Sequence, residues 1–264
     1  MATECPSVLL LRSSSDDPKQ DRYHMELRSH GFQCTSIPVL SFEFENLDKL
    51  EKMLSEPTEY GGIILTSARG VEAMEKCIEE KISLSVWQES FQFLWQRLPV
   101  FVVGPATSQA AKKKLGLESV GHQAGSAEML APMILEGAHP QTKPFLFPCG
   151  NLRKETIPTE MQNAGVPLKG LQVYKTCKHT ELAQNLTSHV EEKGVPSVIV
   201  FFSPSGVQFV LSLLTEIFGD FSALKLVAIG ATTSAAMIKH GLSVAAVAKQ
   251  PSPKSLAECI SQCF

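Results

Sequence analysis

Most of the motifs that announce a ready-made chemistry are missing from this sequence. None of its seven cysteines forms a CxxC pair, so neither a zinc ribbon nor a dithiol redox site is written here. They are odd in number and scattered, at Cys5, Cys34, Cys77, Cys149, Cys177, Cys259 and Cys263, as expected of free thiols in a reducing compartment. Cys259 and Cys263 stand one helical turn apart, but no histidine completes a ligand set, and no metal is expected. Basic charge is not in excess. At a net charge of −3, neither nucleic acid nor an anionic membrane is indicated as a partner. No apolar run approaches the ~18 residues of a membrane span. The first run, residues 8–11, is too short for a secretory signal and is followed by Arg12. There is no GxGxxG, no P-loop lysine and no Ser–His–Asp order, and no cofactor is expected.

What is present is an ordinary globular composition, 44% hydrophobic and 19% charged, enough for a sizeable core without disulfide or metal staples. At ~100–200 residues per domain, 264 residues make one or two domains. Buried-strand patterns alternate with amphipathic helices along the whole chain. Strands are expected at 8–11, 35–40, 62–66 and 100–104. Helices are expected at 19–31, 70–80, 107–116 and 126–135, the last kinking or ending early at Pro132. The order then recurs. Strands at 145–147, 170–176, 197–202, 225–230 and 243–247 alternate with helices at 154–165, 206–214, 233–241 and 252–260. Gly31 and Gly165, Ser67 and Ser203, and Gly104 and Gly230 pair at separations of 134, 136 and 126 residues. Loop insertions account for the drift. The stretch 85–97 reads as an extra helix of the first half, and Cys77, with Val71, Met74 and Ile78 on one helical face, reads as core.

Strands alternating with helices predict parallel sheets covered on both faces. The expected fold is α/β: two similar doubly wound, flavodoxin-like domains, each with about five strands. One long sheet is the alternative. Periodicity alone would divide the chain near residue 140.

In such sheets ligands bind beyond the carboxyl ends of the strands. The repeated residues stand there: Thr66, Ser67 and Arg69 after one strand, Ser203, Ser205 and Gly206 after its repeat, then Gly104 and Thr107, and Gly230, Thr232 and Thr233. Each loop opens a helix, whose free N–H groups and dipole accept carboxylate or phosphate. Taken singly, each reads as an N-cap before it reads as a site. Four matched loops suggest a cleft of neutral donors suited to a polycarboxylate. His179 and His189 lie in polar stretches and are expected to be solvated. At the 134-residue separation Tyr174 falls opposite Leu40, in a chain with three tyrosines. It reads either as a buried phenol with its hydroxyl satisfied or as a weak acid at the domain junction.

The stretches IPVLSFEF (37–44), YGGIILTS (60–67), LFPCGNLRKE (146–155), VYKT (173–176), GVPSVIVFFSPSG (194–206) and IGATTSAA (229–236) make the chain resemble the uroporphyrinogen-III synthase family over nearly its full length, the animal members in particular. The resemblance implies a different partition from periodicity. One discontinuous domain comprises 1–38 plus 179–264, the other 47–170, and 39–46 and 171–178 form a two-stranded linker.

It also implies an activity in heme biosynthesis without cofactor or metal; apart from the resemblance, free thiols and the lack of an obvious spare apolar helix face make a cytosolic monomer the expectation. The linear tetrapyrrole hydroxymethylbilane loses water and closes with inversion of ring D. By the resemblance Tyr174 is the site tyrosine that helps the hydroxyl leave, a phenol being a proton donor at neutral pH. Thr107, Thr233 and Thr232 hold carboxylates or the leaving group. Thr66, Ser67, Gly104, Ser203, Ser205, Gly206 and Gly230 bind the acetate and propionate arms. Arg153 and Lys154, like Arg69, are either charge at the rim or solvated surface. The competing readings are a two-domain binding protein for a small polycarboxylate or sugar-phosphate ligand, and a sugar-phosphate enzyme of the same fold class.

Overall fold

The computed structural model describes residues 5–264 apart from Asp16, Pro18, His139 and Asp220. Residues 1–4, assigned above to the first domain, lie outside the described residues. The chain divides into two units, one formed by the segment up to Ser41 together with Cys177–Phe264, the other by Phe42–Thr176. A cut at residue 140 would fall inside the second unit, between the helix Ala127–Glu136 and the strand Phe145–Gly150.

Among the described residues the strands in chain order are β1 (Ser7–Leu11), β2 (Gln33–Ser36), β3 (Leu40–Phe44), β4 (Gly62–Leu65), β5 (Val100–Val102), β6 (Phe145–Gly150), β7 (Leu168–Lys178), β8 (Val198–Phe201), β9 (Lys225–Ala228) and β10 (Ala246–Val247). They make two five-stranded sheets rather than one long one, ordered β10-β9-β8-β1-β2 and β3-β7-β6-β4-β5. In the first sheet β8 runs parallel to both β1 and β9; in the second β4 runs parallel to β5 and β6, and β6 to β7. Both units are therefore doubly wound α/β structures.

The near-continuous apolar strands follow from burial on both faces. In β1, Leu9 and Leu11 enter a core with Ile199, Phe201 and Leu226, while Val8 and Leu10 enter another with Val198, Val200 and Val227. The second sheet repeats this. Ile63, Leu65, Val102 and Leu146 face one core, and Ile64, Phe145 and Phe147 the other. Alternate residues of one strand thus serve two different helix layers. No helix among the described residues is long and apolar enough to cross a membrane.

Several elements differ from expectation for identifiable reasons. The strand expected at 35–40 is β2, ending at Ser36. Pro38, which has no N–H to give a ladder, follows two residues later. The helix Ala127–Glu136 runs through Pro132 instead of ending there. Its Leu130, Ala131 and Ile134 are buried against β6 residues, so packing outweighs the lost backbone bond. The stretch 85–97 is helical with a π turn in its middle, Trp87–Phe91, between the helices Leu84–Val86 and Gln92–Gln96. Two further π turns, Ile78–Ile82 and Ala111–Leu115, extend the helices Ala68–Cys77 and Gly104–Ala110. Cys77 is fully buried in the second unit's core, its thiol donating to the Leu47 carbonyl at 3.4 Å.

His189 corrects the reading of a solvated histidine. It is buried, and its Nδ1 has no partner. Leu182, Leu186 and His189 form the buried stripe of the helix Leu182–Lys193, so helical spacing overrides the polar neighbourhood. Desolvation, followed by nearby Lys193, pushes its pKa below the ordinary histidine value. His179 is half-buried, and its Nδ1 accepts from the Glu181 N–H at 3.3 Å.

Candidate active site

The second unit carries a pocket of about 320 Å³ at the carboxyl ends of β4 to β7, the position at which doubly wound sheets bind ligands. Thr66 and Ser67 follow β4. Ser67 is extended, with φ −155°, and caps the helix Ala68–Cys77 by accepting from the Arg69 N–H at 3.1 Å. Val103 follows β5, Gly150 closes β6, and Tyr174 and Thr176 lie on β7. Gly125, Ser126 and Ala127 bring the start of the helix Ala127–Glu136 to the same space.

Tyr174 is placed by a local irregularity. Along β6 and β7 the register runs evenly from Phe145–Leu168 to Cys149–Gln172, then jumps to Gly150–Tyr174. Such a bulge re-aims a side chain. Gly150 is required beneath it, because a Cβ there would lie 2.5 Å from the Tyr174 ring carbons. Phe42 meets the Tyr174 ring edge-on, with centroids 6.3 Å apart, and the Arg69 guanidinium sits 4.1 Å from the Phe42 ring centroid. Asn151 fastens β7 twice. Its N–H donates to the Tyr174 carbonyl at 3.2 Å, and its Oδ1 accepts from the Thr176 N–H at 2.8 Å.

The cations at the rim are already engaged. Arg153 pairs with Glu155 at 3.1 Å and donates to the Cys149 sulfur at 3.1 Å. Lys154 pairs with Glu128 at 3.3 Å. The Glu128 carboxyl is pulled down to about 2 by the Ser126 hydroxyl, its own N–H, Lys154 and Thr156, in that order. Burial pushes the Cys149 thiol up, which marks it as packing rather than a nucleophile. What the pocket offers a ligand is therefore mostly hydroxyl and backbone N–H. Among the described residues no group of three or more His, Cys, Asp or Glu side chains could hold a metal ion.

Of the residues singled out in the sequence, Thr66, Ser67, Arg153, Lys154 and Tyr174 line this pocket. Gly104 and Thr107 open the helix Gly104–Ala110 after β5 in the same unit without lining it, and Thr107 is buried. Arg69 also lies in the second unit without lining the pocket, and the remaining strand-end residues belong to the first unit. Ser203 caps the helix Pro204–Phe218, accepting from the Gly206 N–H at 3.0 Å with the Ser205 hydroxyl 3.3 Å away. Gly230 precedes the helix Ala231–Lys239, where Thr232 is exposed and Thr233 buried. Sequence reasoning missed Gly150, Asn151 and Thr176. Thr176 had a signal, since residues two apart on a strand share a face. Gly150 and Asn151 had none short of the β6–β7 register.

Fold and pocket together define a two-unit, doubly wound α/β protein with a pocket at the strand ends of its second unit, lined mostly by neutral donors. The chain matches the family model described as Uroporphyrinogen-III synthase HemD over residues 21–258, and it belongs to that family. It is 26% identical to the uroporphyrinogen-III synthase of Saccharomyces cerevisiae, over 96% of this chain and 94% of that one. The uroporphyrinogen-III synthase of Schizosaccharomyces pombe is also 26% identical, over 96% of each chain. The crystal structure of uroporphyrinogen-III synthetase from Helicobacter pylori shares the fold, with a TM-score of 0.64 at 16% identity over 98% of this chain and 100% of that one.

Proposed function

We propose that this protein closes hydroxymethylbilane to uroporphyrinogen III, inverting ring D and releasing water, as a lyase that needs no cofactor. Family membership over residues 21–258 gives the reaction. The observation that carries the reading to particular residues is the strand-end pocket in which Thr66, Ser67 and Tyr174 meet. The substrate is a flexible chain fringed with carboxylates, and it also closes unaided, without inversion. The protein's task is then chiefly to hold one conformation, which is catalysis by positioning.

In this scheme Tyr174 donates a proton to the departing hydroxyl. Thr107, Thr232 and Thr233 hold carboxylates or the leaving group. Thr66, Ser67, Gly104, Ser203, Ser205, Gly206 and Gly230 bind acetate and propionate arms through hydroxyls and helix-start N–H groups. Arg153 and Lys154 add charge at the rim, tempered by Glu155 and Glu128. The protein acts as a cytosolic monomer in heme biosynthesis. Purified protein mixed with freshly made hydroxymethylbilane, without added metal or cofactor, is expected to yield the type III isomer by chromatography. Type I product alone, at the rate of the buffer control, overturns the proposal.

A further inference from the structure

Thr176 is a buried polar residue, 8% exposed, that nonetheless lines the pocket. Its backbone is held by Asn151 through the 2.8 Å bond to its N–H. Among the described residues, the side-chain polar atoms sealed from solvent and without a partner are Nδ1 of His24 and Nδ1 of His189. The Thr176 hydroxyl is not among them, and the hydrogen bond that holds this residue runs through its backbone. Among the described residues this hydroxyl has no hydrogen bond of its own and is not sealed from solvent, so it opens to the pocket. A hydroxyl on a strand at the wall of a pocket is placed to donate to a ligand that enters it.

Thr176 and Tyr174 are two apart on β7 and project to one face, with a strand rise of about 3.3 Å per residue. Groups some 7 Å apart do not share one substrate atom, so the two hydroxyls serve different parts of the ligand. The pocket's cations are occupied by Glu155 and Glu128, which leaves a carboxylate to be held by neutral donors. We infer that the Thr176 hydroxyl donates a hydrogen bond to one carboxylate arm of the tetrapyrrole while Tyr174 serves the reacting end. This rests on the proposed function and adds a binding residue to it. The role is in holding the arm, so removal of the hydroxyl weakens substrate binding and leaves the chemical step alone.

The test compares steady-state kinetics on hydroxymethylbilane for wild type, Thr176→Val and Thr176→Ser. The valine keeps the shape and drops the donor, and the serine keeps the donor. A hydrogen bond to a charged group is worth about a ten- to hundredfold change in affinity. Thr176→Val should therefore raise KM about tenfold or more, with kcat within about twofold, and Thr176→Ser should stay near wild type. Should the valine variant not fold, Thr176→Ala removes the same donor. A KM unchanged by losing the hydroxyl, or a fall in kcat at constant KM, overturns the assignment. Wild type that gives only the type I isomer removes the proposed function, and this inference with it. Wild type that gives type III while the valine variant matches it removes this inference alone.

Discussion

The two units share a plan and differ in how much they depart from it. In the first, Ser203 follows β8 and caps a regular 15-residue helix, Pro204–Phe218. In the second, Ser67 follows β4 and caps Ala68–Cys77, but that helix runs on into a π turn. Among the described residues all three π turns, both tryptophans and the β6–β7 bulge lie in Phe42–Thr176. The buried histidines without a partner at Nδ1 are both in the first unit. A repeated fold thus tolerates irregularity unequally, and the unit with the most is the one that holds Tyr174.

The largest expected effect tests whether the extra helical stretch 84–96 is integral to the second unit. Trp95 is fully buried, and its indole N–H donates to the Leu54 carbonyl at 2.9 Å. Trp95→Ala should cost about 3–5 kcal/mol in urea denaturation. A loss below about 1 kcal/mol would make the stretch an appendage. Next comes the asymmetry between Tyr174 and Leu40, its counterpart in the repeat. Tyr174→Phe should lower kcat about a hundredfold with circular dichroism unchanged, while Leu40→Val should leave turnover intact. Equal rates for both variants and wild type would make the phenol a packing residue.

The third contrast is between two carboxyls, Asp21 and Glu128, each held at about 2. Burial alone would raise the Asp21 value, but the Ser15 N–H, the Arg12 guanidinium and the His24 N–H outweigh it. Asp21 is 2% exposed, with Arg12 at 2.8 Å. A carboxyl depressed on folding stabilises above its unfolded value, near 4, and that contribution fades as pH falls toward 2. Wild type should exceed Asp21→Asn by about 2 kcal/mol at pH 7, the gap closing between about pH 5 and 2. Glu128 is in solvent, and Glu128→Gln should show no comparable pH-dependent gap. A constant gap for Asp21→Asn would assign its effect to packing. The smallest contrast is between the two serine caps. Ser67→Ala and Ser203→Ala should each cost about 1 kcal/mol by thermal melting, and a difference of more than about twofold would break the equivalence of the two starts.

Much of this architecture can be read from the sequence, because burial on both faces writes itself as runs such as VLLL and SVIVFF. Helix starts were marked by serines, and Ser67, Ser203 and Ser252 all cap through their side chains. Of the residues singled out, Thr66 and Ser67 after β4 and Tyr174 within β7 line the pocket. What escaped depends on long-range register or packing. No local pattern shows that β7 gains a residue against Gly150 or that packing carries a helix through Pro132, and at His189 polar neighbours masked the helical spacing from Leu182 and Leu186. π turns escape because their spacing differs from an α-helix by one residue, too little to alter an apolar stripe.

That one residue has a further meaning. The segment GPATSQAAKKKLG, 104–116, is thirteen residues long, and its repeat GATTSAAMIKHG, 230–241, is twelve. Both finish on a left-handed glycine, Gly116 at φ +69° and Gly241 at φ +78°. The π turn Ala111–Leu115 takes up the surplus inside the helix, as a single-residue insertion does when both ends are pinned. A length mismatch between the copies is thereby confined to the rear of one helix. The threonine at its front, Thr107 matching Thr233, stays in phase, so the chain can vary in size behind its business end without disturbing it.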